Sequence, residues 1–179
     1  TGVARDSNVA AAGRAAARPL SEDGPLATIQ SNLNPAARAQ VAALVAENFQ
    51  ALIDDLEETY GYEINVMGGY ARRNAVGSQN WSYHASGLAM DLNPAQNGII
   101  RPRPADAPEP TDMPEDGTGS AMEALAAKHG LGWGGAWRSL TDSMHFSAAK
   151  REDGYLDWPR NGVIPGVAEQ PPQTATGEV

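Results

Sequence analysis

The sequence predicts an α+β fold in which a long N-terminal helix and a short second helix pack on a small antiparallel sheet. Helical spacing of apolar residues predicts the long helix over 34–60 and the short one over about 120–129. Alternating apolar and polar residues predict a strand over 62–67, and short apolar segments predict strands over 88–92 and 143–148. These elements suit one domain of ordinary size, with extra chain at both ends.

The long helix is expected to begin at Asn34, an N-cap residue followed by Pro35 at the first helical position. Its apolar residues recur at three- and four-residue spacing and form one face: Val41, Leu44, Val45, Phe49, Leu52, Ile53 and Leu56. Acidic residues occupy the other side near its C-terminal end: Asp54, Asp55, Glu57 and Glu58. Because acidic charge is unfavourable at that end of a helix dipole, these side chains are expected to be solvated or to serve a partner.

The folded domain is expected to span residues 34–150. Residues 1–33 are rich in alanine and contain few large apolar side chains, which is typical of a linker or docking arm. Residues 94–118 form a proline-rich acidic loop, and because it leaves the second strand we interpret it as a flap over a substrate groove. Residues 151–179 are expected to form an irregular C-terminal arm and a polar tail.

Composition restricts the partners and cofactors that the chain can have. A net charge of −9 argues against nucleic acid and against anionic membrane surfaces. No apolar run is long enough to span a bilayer, so direct membrane insertion is not expected. Cysteine is absent, so only His, Asp and Glu side chains can bind a metal. The chain begins with Thr1 and shows no signal-peptide pattern, so an export signal could have been lost with a missing part.

Two short segments contain the residue types of a metal site. His84 and Asp91 lie on either side of Gly87, where a turn can feed a short strand that returns the carboxylate toward the imidazole. Asp142 and His145 lie three residues apart further along the chain. Two imidazoles and one carboxylate would give Zn²⁺ three protein ligands and leave the fourth position to water, the arrangement of a catalytic zinc. Asp142 would then be a spare carboxylate beside the metal.

Simpler roles are open for the same residues. A single histidine beside a glycine turn is often structural, and Asp142 could serve only as a turn carboxylate. The remaining histidine, His129, falls in the last turn of the predicted short helix, where the helix dipole favours it. We assign no chemistry to His129.

The segment 82–91 (SYHASGLAMD) resembles the S-x-H-x-x-G-x-A-x-D motif of the M15 peptidases, a family of zinc D-alanyl-D-alanine carboxypeptidases and dipeptidases. The segment 133–146 (WGGAWRSLTDSMHF) resembles the W-G-G-x-W...D-x-x-H-F signature of the L-alanyl-D-glutamate endopeptidase branch, which includes bacteriophage endolysins and bacterial autolysins. The resemblance covers roughly residues 34–150. Two separated motifs that agree in order make a chance resemblance improbable.

This resemblance implies a Hedgehog/DD-peptidase-like fold in which His84, Asp91 and His145 bind Zn²⁺. It implies that Asp142 is the general base, which takes the proton of the attacking water and passes it to the departing nitrogen. The implied substrate is the peptidoglycan stem peptide, and the implied bond is L-alanyl-D-glutamate. Two alternatives stay open: a D-alanyl-D-alanine carboxypeptidase, and an inactive zinc-bearing binding or assembly module.

The family also carries an arginine after a G-Y pair, where it steadies the developing oxyanion or a substrate carboxylate. Here Gly69 and Tyr70 are followed by Ala71, so the arginine is displaced by one position. We expect Arg72 to take this role, with Arg73 as the alternative. A solvated basic loop is the simpler interpretation.

Four further positions bear on the substrate. Ser82 matches the serine that hydrogen-bonds substrate in the family, although a simple turn serine would look the same in sequence. Ala136 stands where the endopeptidase branch usually has aspartate, which puts the substrate in more doubt than the metal. Trp133 and Trp137 either line a groove for a peptide or sugar or are buried structural residues.

The resemblance implies action on the cell wall, in the periplasm, outside the cell or on a virion or phage tail. Cell-wall polymers are frequently anionic, so an acidic enzyme gains little from electrostatic steering toward them. The Ala-rich N-terminal arm and the C-terminal arm around Trp158 are therefore candidate attachments to a larger assembly.

Overall fold

A computed structural model describes residues 26–71, 73–77, 82–105, 111–115 and 121–148. The strands are β1 (Leu26–Gln30), β2 (Arg38–Ala42), β3 (Met67–Gly68), β4 (Ala89–Leu92), β5 (Ile99–Ile100), β6 (Gly132–Trp133), β7 (Thr141–Asp142) and β8 (His145–Ser147). The helices are α1 (Ala46–Tyr60) and α2 (Ala121–Lys128). Short 3₁₀ turns cover Ala43–Val45, Tyr83–Ser86 and Gly134–Ala136.

The described strands form three small antiparallel sheets. The central sheet has the order β3-β4-β8-β6, whereas β1 with β2 and β5 with β7 form two-stranded sheets. With two helices beside these sheets, the α+β class predicted from the sequence is confirmed. The more specific Hedgehog/DD-peptidase-like fold stays a prediction.

Alternation along β4 and β8 separates a core face of the central sheet from a site face. Met90 pairs with Phe146 across the two strands, and both side chains are fully buried in the core together with Phe49 of α1. Burying each side chain of this size stabilises the fold by ~1.5–3 kcal/mol. Asp91 and His145 are the next pair along, so they project from the opposite face.

The N-terminal helix is shorter than predicted. α1 begins at Ala46, whereas the sequence predicted a helix from Asn34. Ala37 N donates to Asn34 O at 2.8 Å, so the Asn-Pro pair helps to close the loop between β1 and β2 instead of capping a helix. The apolar pattern was misleading because Val41, which stands at helical spacing from the residues of α1, is buried in β2, where it pairs with Ala27 of β1.

β1 lies within the segment 1–33, which the sequence assigned to a linker or docking arm. Its residue Ile29 is buried, and all five residues of β1 pair with β2. The folded part of the chain therefore includes Leu26 and the residues after it. The sequence did not predict this, because the segment 1–33 contains few large apolar side chains. Residues 1–25 of the predicted arm, and the predicted C-terminal arm and tail at 151–179, lie outside the described residues.

The acidic C-terminal end of α1 is paired within the chain, contrary to the expectation of simple solvation. Glu57 is buried and accepts hydrogen bonds from the Ser31 hydroxyl and from Asn32 N. Asp55 Oδ2 lies 2.7 Å from Lys128 Nζ and 2.5 Å from His129 Nε2, which ties α1 to the C-terminal end of α2. These partners are distant in sequence, so no local pattern indicated them.

The segment 62–67, predicted as a strand, joins a sheet only at its end, in β3. The side chain of Asn93 takes the place of a partner strand, because its Oδ1 accepts from Asn65 N at 2.9 Å and from Val66 N at 3.1 Å. Asn93 has a φ of 45°, a backbone conformation that asparagine tolerates better than most residues. This contact fixes the segment before β3 against the end of β4.

The proline-rich loop 94–118 contains a short strand that the sequence did not predict, β5. Asn97 in its first part is fully buried and donates to Asp112 Oδ1 at 2.7 Å, which joins the two described parts of the loop. α2, β4 and β8 lie within a few residues of where a helix and two strands were expected, whereas β6 and β7 were not predicted. Neither described helix has the length and apolar character needed to cross a membrane.

Candidate active site

His84 lies in the 3₁₀ turn at Tyr83–Ser86, and residues at both ends of that turn position it. The Ser82 side chain accepts a hydrogen bond from His84 N at 3.2 Å and caps the turn. Gly87 ends the turn with a φ of 68°, and a Cβ on it would lie 2.6 Å from the backbone of β2, so glycine is required there. The His84 ring is buried, and its Nδ1 lies 2.8 Å from Gly69 O. Because that contact occupies Nδ1, the other ring nitrogen, Nε2, is the one left to bind a metal.

Asp91 and His145 are brought together by the register of the central sheet. They are direct partners on the adjacent strands β4 and β8. His145 Nδ1 lies 3.2 Å from Asp91 Oδ1, and His84 Nε2 lies 3.1 Å from Asp91 Oδ2. The two imidazole rings are 5.1 Å apart and inclined at 75°. Two strands and one turn therefore place the three candidate ligands around one point.

These three side chains fit a metal ion. One ligand atom from each of His84, Asp91 and His145 lies within 4.8 Å of the others. Two imidazoles and a carboxylate form a donor set that suits zinc and leaves a coordination position open. His145 Nε2 is buried and has no hydrogen-bond partner among the described residues, as expected where a further group completes the site.

The Asp91 carboxyl stays ionised in this environment. Burial acts to raise its pKa, but hydrogen bonds with His145 and His84, together with their charges, outweigh burial. They hold the pKa of Asp91 well below its usual range. Asp91 is therefore available as an anionic ligand at neutral pH.

Asp142 is a second buried carboxyl beside this cluster. It ends β7, is 8% exposed, and its Oδ1 has no hydrogen-bond partner among the described residues. Burial raises the pKa of Asp142, the Asp91 carboxylate adds to the shift, and the charges of His145 and Arg73 oppose it. A carboxyl with a raised pKa accepts and returns protons closer to neutral pH, as a general base requires.

The candidate ligands and Asp142 line one open cleft with a volume of about 730 Å³. Its other walls come from the segment 73–77, from β5 with the residue that follows it, and from the segment 137–144. Lining residues from these walls include Arg73, Val76, Ile99, Arg101, Trp137 and Leu140. The volume is within the range of clefts that bind small molecules and short peptides.

A family model described as D-alanyl-D-alanine carboxypeptidase, one of the M15 peptidases, matches residues 76–148. The matched segment includes His84, Asp91, Asp142 and His145. Over this segment, which is 73 of the 179 residues, the chain matches the M15 peptidase family, and the match supports an M15 peptidase. No curated protein and no solved structure matches the chain. The resemblance carried by the two motifs is thereby confirmed at the level of the M15 family, and the branch within the family stays a prediction.

The arginine expected from the M15 pattern has one described candidate. Arg73 lines the cleft, and its Nη1 donates to Asn74 O at 3.3 Å. Arg72, which the sequence favoured, lies outside the described residues, so that assignment stays a prediction. Both arginines precede the segment that matches the M15 model.

The two tryptophans near the M15 ligands have different positions. Trp137 lines the cleft, and its ring centre lies 5.1 Å from that of His145. Trp133 is 5% exposed and donates from Nε1 to Ser143 O at 2.9 Å, as expected of the buried structural alternative. Ser82 also lines the cleft, while its side-chain oxygen caps the 3₁₀ turn.

Sequence reasoning missed several residues of the cleft, two of them in the proline-rich loop. Ile99 and Arg101 line the cleft from the proline-rich loop. That loop was expected to lack regular structure, so the pairing of β5 with β7, which sets Ile99 opposite Asp142, could not be anticipated. The one signal present in the sequence was a pair of isoleucines followed by arginine inside a segment otherwise rich in proline and acidic residues.

Proposed function

We propose that this chain is a zinc-dependent peptidase that hydrolyses the L-alanyl-D-glutamate bond of the peptidoglycan stem peptide. The observation that carries the proposal is the convergence of His84, Asp91 and His145 in a cleft that also holds the buried Asp142. The M15 match supports peptide hydrolysis. The resemblance of the segment 133–146 to the endopeptidase signature supports the choice of bond.

His84, Asp91 and His145 would hold the zinc. Bound zinc would supply a Lewis acid for the amide carbonyl and would lower the pKa of the attacking water. The surrounding chain orients the ligands, because Gly69 O fixes the His84 ring through Nδ1 and sheet pairing fixes Asp91 against His145. This arrangement leaves little reorganisation for the moment of reaction.

Asp142 transfers the proton in this proposal. Its carboxylate accepts a proton from the water that attacks the carbonyl carbon, and it returns that proton to the nitrogen as the C–N bond breaks. Burial, which raises the pKa of Asp142, makes the second transfer easier than it would be for a solvated aspartate. Asp142 therefore acts as base and then as acid within one turnover.

Arg73 and Trp137 bind the substrate around this centre. A guanidinium at the cleft wall stabilises negative charge on the carbonyl oxygen as water adds, and Arg73 lines the same cleft as Asp142. Arg72, which the sequence favoured for this role over Arg73, lies outside the described residues and stays a prediction. Trp137 provides an apolar wall beside the His145 ring, against which a peptide can pack.

A D-alanyl-D-alanine carboxypeptidase is the second candidate, because the matching family model carries that description. Removal of a terminal D-alanine requires a cation that binds the free carboxylate next to the scissile bond, and Arg73 could provide it. Both reactions would use the same ligands and the same base. The products therefore distinguish them.

The test uses zinc-loaded protein and two synthetic peptides, one with an internal L-alanyl-D-glutamyl bond and one that ends in D-alanyl-D-alanine. Mass spectrometry of the products is expected to show cleavage of the first peptide only. Release of D-alanine from the second peptide alone would establish the carboxypeptidase. A folded, zinc-bearing protein that cuts neither peptide would contradict both activities and favour the binding or assembly module.

We further propose that a larger assembly, such as a phage tail, delivers the protein to the cell wall through its N- or C-terminal arm. The net charge of −9 supports this, since an acidic protein is not attracted to anionic wall polymers. A monomeric protein that digests cell walls efficiently without a partner would contradict delivery by an assembly.

A further inference from the structure

Arg101 lines the cleft, and none of its contacts with described residues is to a carboxylate. Its Nη2 donates to Val76 O at 3.1 Å, and Nη1 lies 3.5 Å from the position that a Cβ on Gly77 would take. These contacts hold the guanidinium against the 76–77 segment at the cleft wall. Among the described residues, no carboxylate lies within ion-pair distance of it. An arginine has five N–H donors, so most of those on Arg101 are available to a ligand.

The nearby Arg103 shows the contrast between a structural arginine and one that is open to the cleft. Arg103 Nη1 donates to Gly135 O at 2.8 Å and to Trp137 O at 2.6 Å, which anchors the turn that carries Trp137. It does not line the cleft, whereas Arg101 does. A role in holding the fold thus accounts for Arg103, and the single backbone contact of Arg101 leaves its charge unexplained.

Strand register gives the backbone offset between Arg101 and the residue opposite Asp142. Ile99 pairs with Asp142 and Ile100 with Thr141, so Arg101 is two residues beyond the position opposite Asp142. Two residues of a strand span about 7 Å. A substrate peptide bound in extended form has the same rise per residue. On this backbone offset, a substrate group bound near Arg101 would lie about two residues from the bond at Asp142.

We infer that Arg101 is a specificity-determining residue that binds a carboxylate of the substrate peptide about two residues from the scissile bond. The inference rests on the proposed peptidase function and adds the class of substrate, an acidic peptide. Asp91 is held by two histidines, and Asp142 is buried, so the charge presented to a ligand by the cleft wall comes from its arginines. A charge-assisted hydrogen bond to a carboxylate is the contact that a guanidinium favours most.

Binding is measured with the full chain carrying Asp142→Asn, so that the peptides are not consumed. The first pair of peptides is L-alanyl-D-glutamyl-L-lysine ending in a carboxylate or in a carboxamide. The second pair has aspartate or asparagine immediately before L-alanyl-D-glutamyl amide. The first pair places a carboxylate about two residues after the scissile bond, and the second pair places one about two residues before it. Calorimetry gives Kd for each peptide.

The acidic member of one pair is expected to bind about ten-fold more tightly than its neutral counterpart. Arg101→Gln should reduce that preference to less than about two-fold, and Arg101→Lys should restore part of it. Arg38→Gln, an equal charge change at the exposed first residue of β2, should leave the preference intact. The inference is overturned if neither pair shows a preference, or if Arg73→Gln removes the preference and Arg101→Gln does not.

Cleavage of the same peptides by the zinc-loaded protein without Asp142→Asn is scored separately. A protein that cuts none of them contradicts the proposed endopeptidase function, while a binding preference that requires Arg101 still supports the subsite. A protein that cuts acidic and neutral peptides equally well and binds them equally well retains the proposed function and contradicts the subsite.

Discussion

Gly69, in the loop after β3, orients the imidazole of His84. Its carbonyl oxygen lies 2.8 Å from His84 Nδ1. A Cβ on Gly69 would lie 2.2 Å from Gln40 O, so Gly69→Ala requires the backbone to shift. We expect this shift to disturb the His84 ring and to weaken zinc affinity by ~10–100-fold. Competition with a chromophoric chelator measures the affinity.

Gly98→Ala is the matched control for this substitution. A Cβ on Gly98 would meet nothing within 4 Å, so the variant should bind zinc as the original chain does. Equal zinc affinities for Gly69→Ala and Gly98→Ala would show that the Gly69 carbonyl does not orient the ligand.

Single residues of the site were predictable where the chemistry is carried by local spacing. His84, Asp91, Asp142 and His145 stand in two compact motifs, and the structure places all four in one cleft. Arg101 was not predictable, since its position depends on the pairing of β5 with a strand distant in sequence. Local spacing in the sequence is therefore enough to predict the metal ligands and the base. The residues that line the cleft walls depend on tertiary contacts, which local spacing does not reveal.

At the scale of elements, Asp55 joins α1 to the end of α2 through Lys128 and His129. Burial acts to raise the pKa of Asp55, but hydrogen bonds and charges from both partners outweigh it, so the pKa lies below its usual value. A lowered folded-state pKa means that the ionised carboxyl stabilises the fold above its unfolded pKa of about 3.9. That stabilisation is lost as the pH falls through the folded-state pKa.

We therefore expect Asp55→Asn to lower the free energy of unfolding by ~1–3 kcal/mol at pH 7. The difference from the original chain should shrink as the pH falls below about 4. Urea unfolding at pH 7 and pH 3 measures it, and Glu58→Gln, at an exposed position of the same helix, is the control. A difference that stays constant between these pH values would contradict the role of Asp55.

Elements were predictable where local pattern and tertiary environment agree. The second half of the long helix and the strand that carries Asp91 follow from apolar spacing and the glycine turn before it. The stretch 34–45 was predicted wrongly because its apolar residues suit a helix as well as a strand. Pairing with β1, a strand hidden in an Ala-rich segment, decides between them.

At the scale of the whole molecule, the metal site exists only when the chain is folded, because its ligands come from a turn and two strands of different segments. Zinc should therefore stabilise the fold, by ~4 kcal/mol at a free concentration 1,000 times Kd. We expect the melting temperature to rise with zinc and to fall with a chelator. His145→Ala should remove most of this dependence, and an equal zinc-induced rise in that variant would exclude His145 as a ligand.

The whole molecule was predictable as a class and as a family, but not as an arrangement of sheets. The α+β class and the M15 family follow from a few elements and two motifs. The division into one four-stranded and two two-stranded sheets depends on strands as short as two residues, such as β5 and β7. Such strands have too little pattern to be recognised before their partners are known.

Digestion of purified peptidoglycan by the zinc-loaded protein tests the central claim most directly, with mass spectrometry of the new termini. We expect new D-glutamate amino termini, which chelation should abolish and Asp142→Asn should reduce by ~10²–10⁴-fold in rate. Glu123→Gln, an equal charge change on the exposed side of α2, should form them at the original rate. Undiminished products from Asp142→Asn, or no new termini from folded protein with bound zinc, would contradict the account.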